Sequence, residues 1–198
     1  MTGTRGRPRG FDRDEALEKA MLLFWERGYD AVAIKDLTEA MGIAPPSLYA
    51  AFTDKRTLFE EAVDEYGSRY GSYIHEAIDQ EPTARQAVER LLSTAAEQLT
   101  LPSLPQGCLI LNGASNYAPR SSDVAAALRA RRADSQKQIE RKIAADVEAG
   151  LLPADTNPHN LAAYVATTWK GMAQQARDGA SRTDLRNVVA TAMKAWPD

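Results

Sequence analysis

A glycine flanked by two short helical patterns constrains this chain more than any other feature. Ile34, Leu37, Ala40 and Met41 recur at spacings of three and four, with Lys35, Asp36 and Glu39 on the other side, which predicts a helix with one apolar face. Gly42 stops it by supplying the left-handed backbone that other residues resist, and Ile43 folds back onto the apolar face. Helix resumes at Pro45-Pro46, where the fixed φ suits a first turn, and runs through Phe52. So short a helix is not stable alone, and Leu48 with Phe52 must hold it to a support. The remaining residues, Ala44, Ser47, Tyr49, Ala50 and Ala51, form a small, flat surface able to enter a DNA major groove. The spacing predicts a helix-turn-helix between Ile34 and Lys55.

The run Leu48-Tyr49-Ala50-Ala51-Phe52-Thr53-Asp54-Lys55-Arg56-Thr57-Leu58-Phe59 resembles the signature of the tetracycline-repressor (TetR) family of regulators. Upstream, Ala16, Ala20, Phe24, Gly28, Tyr29, Ile34, Leu37, Ala40 and Gly42 fall at the spacings that family uses for its DNA-binding domain. The resemblance is specific over Asp12 to Phe59 and architectural beyond. Two positions depart from the pattern: Ala51 stands where many members carry a phosphate-binding histidine, and Ala33 where they carry a Ser or Thr cap. The resemblance implies an all-α protein, with an N-terminal three-helix helix-turn-helix DNA-binding domain and a larger helical ligand-binding and dimerisation domain. It also implies a double-stranded DNA operator, a small-molecule effector and a homodimer whose last two helices pack as a four-helix bundle.

Charge qualifies the DNA reading. The net charge of −3 is too low for a protein that coats nucleic acid by charge alone, and residues 1–56 are balanced with nine basic and nine acidic side chains. Arg5, Arg7 and Arg9, however, precede the first acid at Asp12. The segment Arg5-Gly6-Arg7-Pro8 resembles an AT-hook, whose arginines enter a narrow A·T minor groove where negative potential is focused. The plain alternative is a tail whose arginines serve solubility. The expected DNA-facing set is Arg5, Arg7, Arg9, Lys35, Ala44, Pro45, Pro46, Ser47, Tyr49, Ala50 and Lys55.

Around this motif the chain reads as helix throughout. Asp12 caps a first helix to Arg27, whose Leu17, Ala20 and Phe24 join Ile34, Leu37, Met41, Leu48 and Phe52 in a core, with Trp25 near its edge. From Lys55 an apolar stripe continues to Gln80 and predicts one long connecting helix, weakened by Gly67 and Gly71. Further helices are expected over 83–100, 108–117, 124–149, 160–177 and 183–196, with Arg129, Arg131, Arg132, Lys137, Arg141 and Lys142 on a solvated face. The expected organisation is a basic arm (1–11), a DNA-binding domain (12–54) and a ligand-binding and dimerisation domain (55–198).

Tyr66, Tyr70, Asn112, Tyr117 and Trp169 combine aromatic surface or a polar handle and are pocket candidates, ordinary packing being the alternative. Val165, Met172, Val188, Val189 and Ala192 are candidate dimer contacts or simply core. Cys108, the single thiol, starts a short expected helix, where the dipole favours thiolate and an electrophile sensor; inert packing is the other reading. One cysteine and two distant histidines offer neither a disulfide nor a metal cluster, and no cofactor is expected. No stretch has membrane-spanning length, and the N-terminus lacks the apolar run of a signal peptide, so a cytoplasmic protein is expected. Without a phosphate loop or a nucleophile elbow an enzyme is not expected. The sequence therefore points to a ligand-responsive transcriptional regulator, a repressor released by a small molecule or by modification of Cys108. The alternative is an architectural A·T-tract binder without effector.

Overall fold

The computed structural model describes residues 11–197, and these form an all-α protein without strands. The arm residues Arg5, Arg7 and Arg9 lie outside the described residues. The first three helices are α1 (Arg13–Arg27), α2 (Ile34–Met41) and α3 (Pro45–Phe52). They are followed by α4 (Lys55–Tyr70), α5 (Tyr73–Gln80), α6 (Ala84–Gln98) and α7 (Leu109–Asn112). The last three are α8 (Ser122–Glu148), α9 (Pro158–Arg177) and α10 (Arg182–Met193). No described helix is long and apolar enough to cross a membrane.

The turn chemistry sets the N-terminal geometry. Gly42 adopts φ 69°, and Gly42 N and Ile43 N donate to Glu39 O and Thr38 O, closing α2 in the left-handed manner its sequence requires. Ala33 has no side chain to cap α2, so Asp36 Oδ2 reaches back 2.7 Å to Ala33 N instead. Between α3 and α4, Thr53 takes φ 65° and ψ −60° while Asp54 N donates to Phe52 O, a γ-turn that bends the chain within three residues. Asp54 then caps α4, its carboxylate accepting from Thr57 N at 2.7 Å.

Four expectations change. The helix expected over Lys55–Gln80 is interrupted at Gly71-Ser72: two glycines four apart leave one face without side chains and lower helical preference there. The helix expected over 108–117 shrinks to α7, followed by turns. Trp25 is buried rather than peripheral, 4.7 Å from the Tyr66 ring and 5.2 Å from the Tyr70 ring, and its Nε1 donates to Gly107 O. The basic face of α8 is not wholly solvated, since Arg132 Nη1 donates to Ile110 O at 2.8 Å and Lys142 Nζ to Glu81 O at 2.6 Å. Long side chains can bury their stems while the charged head finds a carbonyl, which periodicity does not reveal.

One hydrophobic core runs from Ala16 in α1 to Trp196 beyond α10. α1 lies against α4 as well as α2, so the helix-turn-helix is seated directly on the first helix of the larger part. A second junction is polar. Tyr29 N donates to Gly113 O at 2.9 Å, while Ala118 N and Ser121 Oγ each donate to the Asp30 carboxylate at 2.7 Å. Burial pushes the Asp30 pKa upward, but Ser121, Ala118, Arg120 and Lys55 outweigh it, and the carboxyl is held below its ordinary value.

Candidate functional site

The exposed side of α3 is assembled as its sequence requires. Leu48 and Phe52 are buried, whereas Ala44, Pro45, Pro46, Tyr49 and Ala50 are exposed and Ser47 is half-buried. Tyr49 shows 48% of its surface, the largest free side chain on the helix. Arg13 crosses the Phe52 ring at 4.4 Å and pairs with Glu61 at 2.6 Å, fixing the buried side of α3 to α1 and α4. Lys35 is exposed and 3.7 Å from Glu39, a surface pair that water and salt readily release. Lys55 differs from expectation. Its ammonium sits 4.2 Å over the Tyr29 ring, half-buried, and this burial draws its pKa down against the pull of Asp30.

A second feature is a cavity of about 500 Å³ between α4, α5, α7, α8 and α9. Its walls include Tyr66, Tyr70, Tyr73, Ile74, Cys108, Ile110, Leu111, Ile139 and Trp169, with Arg131, Arg132 and Lys170 among its polar members. That volume suits a small organic ligand. Gly67 and Gly71 also line it, so the interrupted helix forms part of the wall.

Of the expected pocket residues, Tyr66, Tyr70, Cys108 and Trp169 converge there. Asn112 and Tyr117 do not: Asn112 Oδ1 accepts from Cys108 N at 3.3 Å on the outside of α7, and Tyr117 is exposed beyond it. Both were misplaced because the helix expected over 108–117 is a single turn. Ile110, Leu111 and Arg132 had no local signal beyond apolarity or charge, whereas Tyr73 carries the same aromatic ring and hydroxyl as Tyr66 and Tyr70.

The environment of Cys108 reverses the expected thiolate. Burial pushes its pKa up, while the Tyr66 hydroxyl, the Leu111 and Ile110 amides and Arg132 oppose this only in part. The four-residue α7 does not offset that desolvation. Burial also pushes the Tyr66 and Tyr73 phenols up, with Cys108 adding to both shifts.

The expected dimer contacts need revision as well. Val165, Met172, Val189 and Ala192 are buried within the chain itself, with Ala192 O accepting from Tyr164 Oη at 3.1 Å. Only Val188 of that set stays on the surface, 39% exposed, with Tyr164 at 38% on α9. The apolar faces of α9 and α10 meet α8 and α6, and what remains outward is the narrower side.

Residues 16–62 match the description of bacterial regulatory proteins of the tetR family, and residues 84–192 match the tetracyclin repressor-like C-terminal domain. The transcriptional repressor ComR of Escherichia coli K12 is 35% identical, the alignment covering 98% of this chain and 93% of ComR. The chain belongs to the TetR family. A second repressor of the same organism, BdcR, is 28% identical over 96% of this chain and 91% of its own. Among solved structures, a cysteine-substituted form of the TetR regulator CifR, complexed with 26-bp double-strand operator DNA, superimposes with a TM-score of 0.92. Its identity is 42%, with 97% of this chain and 100% of CifR covered. As a TetR-family member the protein is a DNA-binding transcriptional regulator and not an enzyme. The architectural A·T-tract alternative gives way to that assignment.

Proposed function

We propose that this TetR regulator is a homodimeric repressor that works in the cytoplasm, binds a palindromic operator through α3 and leaves it when a small molecule occupies the cavity. The observation that carries this reading is structural continuity. Tyr66 and Tyr70 line the cavity and pack against Trp25 of α1, edge-on and tilted respectively, and α1 is the helix supporting α2 and α3. A ligand that changes the α4–α5 wall therefore acts on residues in direct contact with the DNA-binding helices. The repressor names of ComR and BdcR and the operator complex of CifR support the reading. We keep the division into arm (1–11), DNA-binding domain (12–54) and ligand-binding and dimerisation domain (55–198). Bound genomic fragments, isolated with the full chain and sequenced, should share two symmetric half-sites; fragments without symmetry would contradict the dimer.

In the arm, Arg5, Arg7 and Arg9 add minor-groove contacts. Deleting residues 1–9 should flatten the salt dependence of operator binding by as many as three contacts, each near 0.9 in the log–log slope. Operators with A·T-rich flanks should lose most. An unchanged slope would make the arm idle.

Modification of Cys108 is the second route to release, because the thiol lies on the cavity wall. N-ethylmaleimide adds across its double bond, forming an S–C bond while the thiol proton passes by way of solvent to the neighbouring carbon. It should free the parent from DNA and leave Cys108→Ser bound. Since the thiol pKa is raised from 9.0, labelling should still accelerate as the pH climbs above that value. Equal release of both proteins would remove Cys108 from the mechanism.

A further inference from the structure

Arg132 differs from the ion-paired arginines of the larger domain in being half-buried on the cavity wall without a carboxylate. Arg56 faces Asp123, Arg69 faces Glu65, Arg131 faces Asp64 and Arg186 faces Glu97. Among the described residues no carboxylate pairs with Arg132, whose hydrogen bond goes to the Ile110 carbonyl. It is half-buried at the cavity wall, and Arg129, one turn earlier on α8, adds a like charge. Burial and Arg129 both draw its pKa down, the mark of a cation short of compensation. A guanidinium carries five donors in a planar fork, so a single bond to a carbonyl leaves most of its capacity unused.

The rest of the wall restricts what would satisfy it. Ile110, Leu111, Ile139 and the tyrosines make the interior apolar and aromatic, while Trp169 Nε1 is buried without a hydrogen-bond partner. A planar anion matches the fork of Arg132 in two parallel bonds, and an apolar body matches the surrounding wall. A phosphate would call for several converging cations or amides, whereas Arg131 is held by Asp64, Lys170 is exposed on α9, and Asp64 and Asp134 on the same wall disfavour a second negative charge. We infer that the effector cavity takes an amphipathic carboxylate, an aryl or medium-chain acid, whose carboxyl group is held by Arg132 while its apolar part lies against Ile110, Leu111 and Trp169. This rests on the regulator reading above and names the ligand class of the same cavity.

The experiment is calorimetric titration of the full chain with two matched pairs, naphthalene-2-acetate against naphthalene-2-acetamide and decanoate against decanamide. The parent should bind each acid at least about tenfold more tightly than its amide. Arg132→Gln should abolish that preference while keeping its affinity for the amides, which also shows that the cavity remains folded. Arg131→Gln should retain the preference. Equal binding of acid and amide by the parent would overturn the inference, as would a preference surviving in Arg132→Gln, binding of the amides alone, or binding of neither. Operator binding by the ligand-free protein is measured in parallel. If it is intact while the acid preference fails, only the ligand class falls; if it is absent, the regulator reading falls and this inference with it.

Discussion

A Val188→Asp protein should run as a monomer and bind operator DNA at least about 100-fold more weakly than the parent, while melting within a few degrees of it. Val188 projects from α10 with 39% of its surface free, so an aspartate there meets water in the isolated chain and costs little. In a two-fold dimer the same position occurs on both subunits, and closing the α9–α10 bundle would bury two like charges without partners. Losing one protomer removes one of the two half-site contacts, which accounts for the size of the effect. Sedimentation and operator titration check it together. A variant that remains dimeric would move the interface off the exposed side of α10.

Phe24→Ala should lower unfolding free energy by about 3–5 kcal/mol, a large part of the stability expected for a chain of this kind. Phe24 is fully buried, packs edge-on to Phe59 at 5.0 Å and lies 6.2 Å from Tyr29, and so ties α1 to α4 at the base of the helix-turn-helix. Removing its ring opens a void between rigid helices that cannot close without moving α1 relative to α4. Phe24→Leu fills much of that volume and should recover more than half of the loss. Urea denaturation of the three proteins decides it; a cost below about 1 kcal/mol for the alanine variant would mean that the junction repacks freely.

The helix-turn-helix was legible because each of its determinants is local. The three-and-four spacing, Gly42 and the Pro45-Pro46 start specify α2 and α3 within twenty residues, and the structure reproduces them at Ile34–Met41 and Pro45–Phe52. The cavity was only half legible. Tyr66, Tyr70 and Trp169 announced themselves by chemistry, but the wall is built from five helices whose mutual placement no local period encodes. Arg132 read as one more solvated charge because its partner, the Ile110 carbonyl, is 22 residues distant. The apolar residues of α9 and α10 were visible but not their destination. A stripe that meets α8 and α6 within the chain has the same period as one that meets a second subunit. At Gly67 and Gly71 the sequence showed a weakened helix but not that it would break, and the break falls after Tyr70.

The proposed reading of operator DNA by the exposed side of α3 is tested most directly by the affinity of Tyr49→Ala for an operator recovered with the parent. Tyr49 is 48% exposed and supports no core contact, so its removal should leave the melting transition in place. Loss of one base or phosphate contact per half-site, about 1–3 kcal/mol each, should weaken operator binding by at least about tenfold. The variant should also discriminate less between the operator and a scrambled duplex. Full affinity and full discrimination in Tyr49→Ala, with Ser47→Ala equally silent, would contradict the assignment of α3 as the reading helix.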